Sequence, residues 1–338
     1  MLGDRPGRPA PPLHRGLKLT QESDSPVDET ILRALEDRLG QFYARQRLGI
    51  ERDHEGRVFG HGMNFFHPEN WYAGHSLITA ALKLTGLYWR GRRNAADVRL
   101  KRNTIALAEI PAAFDGFRIL QLSDLHADRN EAAMERVIAL LATIEFDVCV
   151  LTGDYRGGTA GPFRPALEEL RRLRAHLGRE VYGVMGNHDT ILMVPEMEAM
   201  GIKMLLNEAV AFARNETRVH LVGIDDAHFF RVDNIEKAAG HLPPEEFSIL
   251  LSHTPEVYRQ AAHANFNVMM SGHTHGGQIC LPGGIPLTLD AVLPRYMGSG
   301  PWKYANMLGY TSAGAGTSIV PVRLNCPPEI TLHILSHA

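Results

Sequence analysis

The chain has 338 residues, of which 44% are hydrophobic and 22% charged, proportions typical of a globular protein with a substantial core. Its formal net charge of −3 lacks the basic excess of nucleic-acid-binding proteins, so a nucleic-acid partner is not expected. Three cysteines without a CxxC spacing argue against a disulfide framework and against a thiolate metal site. The length suits one large α/β domain with an appendage.

The N-terminal region is predicted to contain a leader and a helical extension. Residues 1–26 are rich in Pro, Gly and Arg and predict a disordered or loosely packed leader, with no secretory signal at its start. Apolar residues at helical spacing predict a helix from about Pro26 to Arg47, followed by a loop over 50–70. The domain boundary is placed near residue 100, which makes 27–100 a helical extension.

A second helix is predicted over Ser76–Tyr88, inside an apolar stretch that carries His75 and Lys83. These polar residues argue against a transmembrane helix, so a cytoplasmic location is expected. Arginines and a lysine follow Trp89, and they allow two interpretations. Residues 71–102 could contact anionic lipid at the inner face of the membrane, or the helix could pack on the main domain with a solvated basic end. We prefer the second interpretation.

From residue 101 to 338, short apolar runs alternate with helical stretches, a rhythm that predicts an α/β fold with buried sheets. The runs expected to form strands are Phe117–Ser123, Phe146–Thr152, Val181–Met185, Val219–Ile224, Phe247–Ser252, Phe266–Ser271, Gly309–Ser312 and Ile330–Leu335. Each of the first six ends in a polar cluster. In open α/β sheets ligands bind beyond the carboxyl ends of the strands, where these clusters fall.

Five of these clusters contain residue types that bind metal ions. Any one of them alone would be ordinary turn chemistry, but five in succession are not explained by turn preferences. Carboxylate, imidazole and amide groups suit divalent Mn, Fe, Zn or Co. Seven candidate ligands are too many for one ion and suit two ions that share a carboxylate. The candidates are Asp124, His126, Asp154, Asn187, His253, His273 and His275.

The order D-x-H, G-D, G-N-H-D, H and G-H-T-H resembles that of the calcineurin-like metallophosphoesterase superfamily. The strings 272–278 and 321–330 are similar to its bacterial branch of YkuE- and YaeI-type phosphodiesterases. The resemblance covers about 103–338 and implies a calcineurin-like metallophosphoesterase domain over 101–338. The fold it implies is a four-layer α-β-β-α sandwich of two mixed sheets flanked by helices, to which the helical N-terminal extension is added.

The resemblance also implies roles for the candidate residues. Asp124, His126 and His275 would hold one ion, and Asp154 would bridge to a second. Asn187, His253 and His273 would hold that second ion. His188 would be a general acid or a charge stabiliser, oriented by Asp189. The expected cofactors are two divalent ions, with Mn or an Fe/Mn pair favoured.

Three further residues are candidate substrate contacts. Arg295 and Arg323 could bind phosphate through their guanidinium groups. His228, which follows Asp225 and Asp226, could shape a pocket, although a polar loop is the simpler interpretation.

The expected reaction is hydrolysis of phosphodiesters, phosphomonoesters or both, by attack of a metal-bridging hydroxide on phosphorus. One alternative is a pyrophosphate hydrolase acting on a lipid-linked substrate such as UDP-2,3-diacylglucosamine. Another is a non-catalytic scaffold of the same fold. The presence of Asn187, His188 and every candidate ligand argues against the scaffold.

Overall fold

The computed structural model describes residues 29–54 and 71–338. Within them, strands form two six-stranded sheets and one short two-stranded hairpin. The helices are α1 (Glu29–Leu39), α2 (Gln41–His54), α3 (Tyr72–Leu84), α4 (Leu87–Ala96), α5 (Glu131–Leu141), α6 (Arg164–Arg174), α7 (Val194–Ala199), α8 (Ile235–Ala239) and α9 (Tyr258–His263). The strands are β1 (Arg99–Leu107), β2 (Arg118–Leu122), β3 (Val148–Leu151), β4 (Glu180–Gly183), β5 (Ile202–Met204), β6 (Glu208–Arg214), β7 (Thr217–Gly223), β8 (Phe247–Leu251), β9 (Val268–Ser271), β10 (Cys280–Leu281), β11 (Ile285–Pro286), β12 (Gly300–Tyr304), β13 (Met307–Thr311) and β14 (Glu329–His337).

The two large sheets are both mixed. The first has the order β1-β14-β2-β3-β4-β5, and its strands β2 to β5 run parallel to one another. The second has the order β12-β13-β9-β8-β7-β6, in which β7, β8, β9 and β13 are parallel. The polar segments after β2, β3 and β4 therefore emerge together at the carboxyl ends of these strands in the first sheet. Those after β7, β8 and β9 emerge together at the carboxyl ends of their strands in the second.

Alternating strand side chains enter different layers, because successive residues of a strand point to opposite faces. In β2, Leu120 and Leu122 pack in the cluster that contains α5 and α6, whereas Ile119 faces the second sheet. In β8, Ile249 lies between the sheets and Leu250 packs with residues of α9. This is a four-layer α-β-β-α sandwich, so the predicted fold class is confirmed.

The predicted strands coincide with β2, β3, β4, β7, β8, β9, β13 and β14. The sequence analysis missed β1 and β6, because most of their side chains are at least partly exposed and form no continuous apolar run, and it also missed the short strands β5, β10, β11 and β12. It therefore found the central strands that carry the polar clusters and overlooked strands at the edges of both sheets.

The helices of the N-terminal region differ from the prediction. The first predicted helix is divided at Gly40 into α1 and α2. The loop predicted over 50–70 was wrong for residues 50–54, which are helical. An ion pair between Arg47 and Glu51 and packing of His54 on Phe229 stabilise this last turn. The leader 1–26 and residues 55–70 of the predicted loop lie outside the described residues.

The second predicted helix is also divided, at Gly86, whose φ of 73° interrupts the helical path between α3 and α4. The pair packs on the segment around Val322, where a Cβ on Gly91 would come within 2.7 Å of the Val322 Cβ. Arg99 and Lys101, predicted to follow the helix, lie in β1. Across 29–54 and 71–338, no helix is both long and apolar enough to cross a bilayer.

Leu35→Ala tests whether α1 is part of the main core. Leu35 is fully buried in the cluster that contains α5 and α6, so we expect the free energy of unfolding to fall by about 2–5 kcal/mol. Urea denaturation followed by circular dichroism would measure the change. Phe42→Ala is the control, because Phe42 is 89% exposed and its loss should change stability by less than about 0.5 kcal/mol. Equal stability of the two variants would contradict this packing.

Candidate metal centre

The seven candidate ligands converge on one place at the carboxyl ends of both sheets. Asp124 and Asp154 follow β2 and β3, and Asn187 follows β4. His253 follows β8, and His273 lies two residues beyond β9. His126 and His275 complete the set, and the side chains of all seven are buried. The structure therefore brings together every ligand candidate that the sequence indicated.

The donor atoms form two groups that share one carboxylate. In the first, Asp124, His126, Asp154 and His275 offer atoms that all lie within 4.8 Å of one another. Nε2 of His126 is 3.1 Å from Nε2 of His275, which is 3.5 Å from Oδ1 of Asp124. Nε2 of His126 is also 3.7 Å from Oδ2 of Asp154.

The second group uses the other oxygen of Asp154, which lies 3.4 Å from Nε2 of His253. His273 joins this group through Nδ1, 3.2 Å from the same His253 nitrogen. Oδ1 of Asn187 lies 2.9 Å from Nε2 of His253 and 3.0 Å from Nδ1 of His273. One carboxylate thus faces both groups, as a bridging ligand would.

The outer nitrogens of His126, His253 and His273 meet carbonyl oxygens, whereas that of His275 faces the guanidinium of Arg323. Nδ1 of His126 lies 2.8 Å from the oxygen of Arg156, and Nε2 of His273 lies 2.6 Å from that of Asp290. A carbonyl can only accept, so these outer nitrogens carry the hydrogen and the inner nitrogens present lone pairs. This arrangement fixes the tautomer of metal-binding imidazoles. The donor set, oxygen and imidazole nitrogen without thiolate, suits two divalent transition-metal ions.

Burial and neighbouring charges set the protonation of the site. Burial lowers the pKa of His126, His273 and His275 well below the usual value, which keeps these imidazoles neutral. Burial also opposes the charged form of His253, but the nearby Asp154 carboxylate outweighs it and raises the pKa of His253 to about 10. A cation between them would compete with that proton, because metal ligands bind in their deprotonated form.

The backbone that carries the ligands is strained. Positive φ is uncommon for residues other than glycine and costs on the order of 1–3 kcal/mol each. Tight local geometry imposes positive φ on several candidate ligands, and two glycines allow the backbone to approach the candidate carboxylates closely. A Cβ on Gly186 would lie 2.2 Å from Oδ1 of Asp154, and one on Gly272 would lie 2.3 Å from Oδ2 of Asp124. The candidate ligands with positive φ are Asp124, His126, Asp154, His273 and His275.

A buried chain of hydrogen bonds leads to Asp124 from between the sheets. Nε2 of His333 lies 2.9 Å from Oε1 of Gln121, whose Nε2 donates to the hydroxyl of Thr152 at 3.0 Å. Thr152 donates to Ser123 at 2.7 Å, and Ser123 donates to Oδ2 of Asp124 at 2.6 Å. The sequence analysis missed this chain, whose hydroxyl members stand beside the candidate ligands in the same polar clusters.

His188 and Asp189 both lie at the site, but Asp189 contacts a different partner from the one expected. Nε2 of His188 is 3.9 Å from Oδ2 of Asp154, and its Nδ1 is 2.9 Å from the oxygen of Gly157. The Asp189 carboxylate accepts backbone N–H groups of Asp154, Tyr155 and Gly186, each at 2.8 Å. Asp189 therefore holds the backbone of the ligand loops, and the Gly157 carbonyl fixes the imidazole.

Arg323 differs most from its predicted role. It is fully buried, and its guanidinium donates to the carbonyl oxygens of His275, Ala313, Gly314 and Gly316. A guanidinium surrounded by carbonyls stabilises the loop that carries His275. It has little remaining capacity for phosphate, so the substrate-contact role proposed for Arg323 is not supported by its position.

Arg295 is exposed and donates to the carbonyl oxygen of Pro286. His228 lies at the second donor group, with its ring centroid 4.1 Å from that of His273. Its Nδ1 is 2.6 Å from Oε2 of Glu256, whose hydrogen bond and charge outweigh burial and raise the pKa of His228 to about 9. The sequence analysis missed Glu256, although its carboxylate stands only three residues beyond His253.

The chain is similar in sequence to a known family and to several known proteins. A family model described as calcineurin-like phosphoesterase matches residues 117–277. The protein "Uncharacterized metallophosphoesterase YkoQ" of Bacillus subtilis is 30% identical over 270 residues, which cover 76% of this chain and 97% of the relative. YkuE of the same organism, also called an uncharacterized metallophosphoesterase, is 30% identical over 70% of this chain and 85% of its own.

Two other relatives carry more specific names. "Phosphodiesterase YaeI" of Escherichia coli is 28% identical over 64% of this chain and 81% of its own. "Transmembrane protein with metallophosphoesterase domain" of Danio rerio is 30% identical over 78% of this chain, and the matched part spans 62% of that relative. The branch that the motifs indicated is thus confirmed, and the chain belongs to the calcineurin-like phosphoesterase family.

Proposed function

We propose that the chain is a phosphoric ester hydrolase that uses two divalent metal ions and acts on phosphodiesters, phosphomonoesters or both. The observation that carries this proposal is the Asp154 carboxylate, which faces two separate groups of buried donor atoms. A diester preference is supported by the relative named as a phosphodiesterase. A non-catalytic scaffold would have no use for a complete and strained donor set.

In this proposal Asp124, His126 and His275 would hold the first ion, and Asp154 would be shared with the second. Asn187, His253 and His273 would hold the second ion, with Mn or an Fe/Mn pair favoured. When bound, the ions would activate a water molecule as the nucleophile by Lewis-acid chemistry and would neutralise charge on the phosphoryl oxygens.

We further propose that His188 assists the leaving group. Its Nδ1 faces the carbonyl oxygen of Gly157 and carries a hydrogen, so the proposal assigns proton donation to Nε2. As an imidazolium, Nε2 would donate a proton to the departing oxygen. The backbone N–H of His188 donates to Oδ1 of Asp154 at 2.9 Å, so this hydrogen bond fixes the proposed general acid next to the carboxylate proposed to be shared by the two ions.

Asp154→Asn tests the proposed centre. The amide cannot bridge two cations as a carboxylate does, so bound metal should fall from two ions to one or none per chain. Hydrolysis of bis-p-nitrophenyl phosphate should fall on the order of 10³-fold. Elemental analysis and a colorimetric assay measure these effects, with Asp97→Asn in an exposed ion pair as the control. Wild-type metal content and rate in Asp154→Asn would refute the proposal.

His188→Ala tests the general acid. A proton donor matters more when the leaving group is basic, so the variant should lose about 10²–10⁴-fold in kcat for phenyl diesters and far less for p-nitrophenyl diesters. Bound metal should be unchanged, because His188 is not among the proposed ligands. The same loss for both leaving groups would assign His188 to charge stabilisation instead.

A lipid-linked pyrophosphate such as UDP-2,3-diacylglucosamine is the second candidate substrate. It is favoured by exposed apolar side chains on α3 and α4, where Leu77, Leu84 and Trp89 are 69%, 89% and 65% exposed. The sequence of residues 71–96 has Lys and Arg but neither Asp nor Glu, which complements an anionic bilayer. Peripheral contact at the inner face of the membrane, from a cytoplasmic location, is part of this second proposal.

The hairpin of β10 and β11 extends this surface toward the centre. Leu281 and Ile285 are about half exposed, and Ile279 just before the hairpin packs in the same cluster as Leu82 of α3. Farther along the same segment, the carbonyl of Asp290 contacts His273. Exposed apolar side chains of this hairpin thus belong to the same segment that contacts the donor cluster, which supports a substrate with acyl chains.

Flotation with lipid vesicles tests this second candidate. Leu77→Glu combined with Leu84→Glu should abolish binding to vesicles that contain phosphatidylglycerol, because it removes apolar area and adds negative charge. Phe42→Glu, at a similarly exposed position on α2, should bind as the wild type does. An absence of wild-type binding, or cleavage of simple diesters while the sugar-nucleotide lipid stays intact, would exclude the lipid-linked role.

A further inference from the structure

We propose that Glu51 and Arg47 of α2 are positioning residues of the metal centre. They fix the position of the loop that carries His188 relative to the loop that carries His228. The inference rests on the proposed function for its catalytic consequence. Its structural basis is independent of that function, because it lies in contacts between α2 and loops from two different sheets.

Glu51 holds the loop that follows β4. Its Oε1 accepts the backbone N–H of Ile191 at 2.7 Å, and its Oε2 accepts the hydroxyl of Thr190 at 2.6 Å. These residues come directly after His188 and Asp189. A carboxylate with both oxygens engaged fixes the direction in which the chain leaves the loop, and with it the position of the imidazole at the other end.

Arg47 carries this contact across to the second sheet. Its Nη1 donates to Oε1 of Glu51 at 2.7 Å, and its Nε donates to Oδ2 of Asp225 at 3.1 Å, in the segment after β7. Tyr43 donates its hydroxyl to the same oxygen of Asp225 at 2.5 Å. Both Arg47 and Asp225 are fully buried, so water cannot replace these contacts.

The segment after β7 leads to His228. The Asp226 carboxylate accepts the backbone N–H groups of His228, Phe229 and Phe230, which closes the segment into a compact loop. The guanidinium carbon of Arg47 lies 3.8 Å over the ring of Phe230. His228 in turn packs on His273 of the second donor group. One buried arginine thus contacts the supports of both loops.

The contacts of α2 with the two loops go beyond what is needed to dock the helices on the domain. Arg38 of α1 docks the same helical pair by pairing with Glu208 at 2.6 Å and Glu198 at 3.0 Å. None of these residues belongs to the loops of His188 or His228. Arg38 therefore provides a matched comparison, since it anchors the pair without contacting either loop.

Glu51→Gln is the principal test, with Arg38→Gln as the control. The carboxamide presents only one acceptor oxygen where Glu51 meets two donors and a cation, so the loop after His188 should loosen. We expect kcat for a phenyl diester, whose leaving group depends on the proton donor, to fall about 10- to 100-fold with little change in KM, because small displacements of a reacting group are costly. Arg38→Gln should leave kcat within about twofold of the wild type.

Hydrogen–deuterium exchange gives a readout that does not depend on activity. Amides of residues 186–192 should exchange faster in Glu51→Gln than in the wild type, and at the wild-type rate in Arg38→Gln. If Glu51→Gln does not fold, Thr190→Val removes one of the two contacts, and Thr190→Ser should restore both exchange and kcat. Equal behaviour of the Glu51 and Arg38 variants in exchange would overturn the positioning role. Absence of hydrolysis in every form, with the exchange difference intact, would instead refute the proposed function.

Discussion

The constraint on which the candidate metal centre depends is that one carboxylate, that of Asp154, faces both groups of donor atoms. Asp154 lies at the end of a central strand of the first sheet, yet one of its oxygens faces His253 from the second. Its position is maintained by Asp189, which accepts its backbone N–H, and by Gly186, where any Cβ would collide with it. The unusual backbone of Asp154, with φ at 58°, is stabilised by these neighbours.

The positions of most candidate ligands could be predicted from the sequence, because they depend on the residues directly next to them in the chain. A polar residue directly after an apolar run lies at a strand end, and parallel strands bring their ends to the same edge. Asp124, Asp154 and Asn187 were found in this way. The roles of Asp189 and Arg323 were not, because residue type does not specify the direction of a side chain. Arg323 is surrounded by carbonyls of the 313–316 loop and of His275, a contact that no motif encodes.

The N-terminal helices were harder still, since their partners are distant in sequence. Periodicity indicated helices but not the breaks at Gly40 and Gly86, nor the surfaces on which they pack. The α1–α2 pair packs beside the first sheet, with Leu35 in the core cluster of α5 and α6. The α3–α4 pair packs elsewhere, on Val322. These helices thus have two different environments, which the single predicted extension did not distinguish.

Because the donors come from two sheets, the spacing of the centre depends on how the sheets pack. Two-metal hydrolysis requires ions about 3.5–4 Å apart, a distance much shorter than the separation of two packed sheets. The interior cluster between the sheets, which includes Val150 and Ile249, sets the coarse distance. Arg47 spans the same gap at the edge where the loops emerge, through Glu51 on one side and Asp225 on the other. The core between the sheets and the ion pairs of Arg47 with Glu51 and Asp225 together constrain the distance between the two groups of donor atoms.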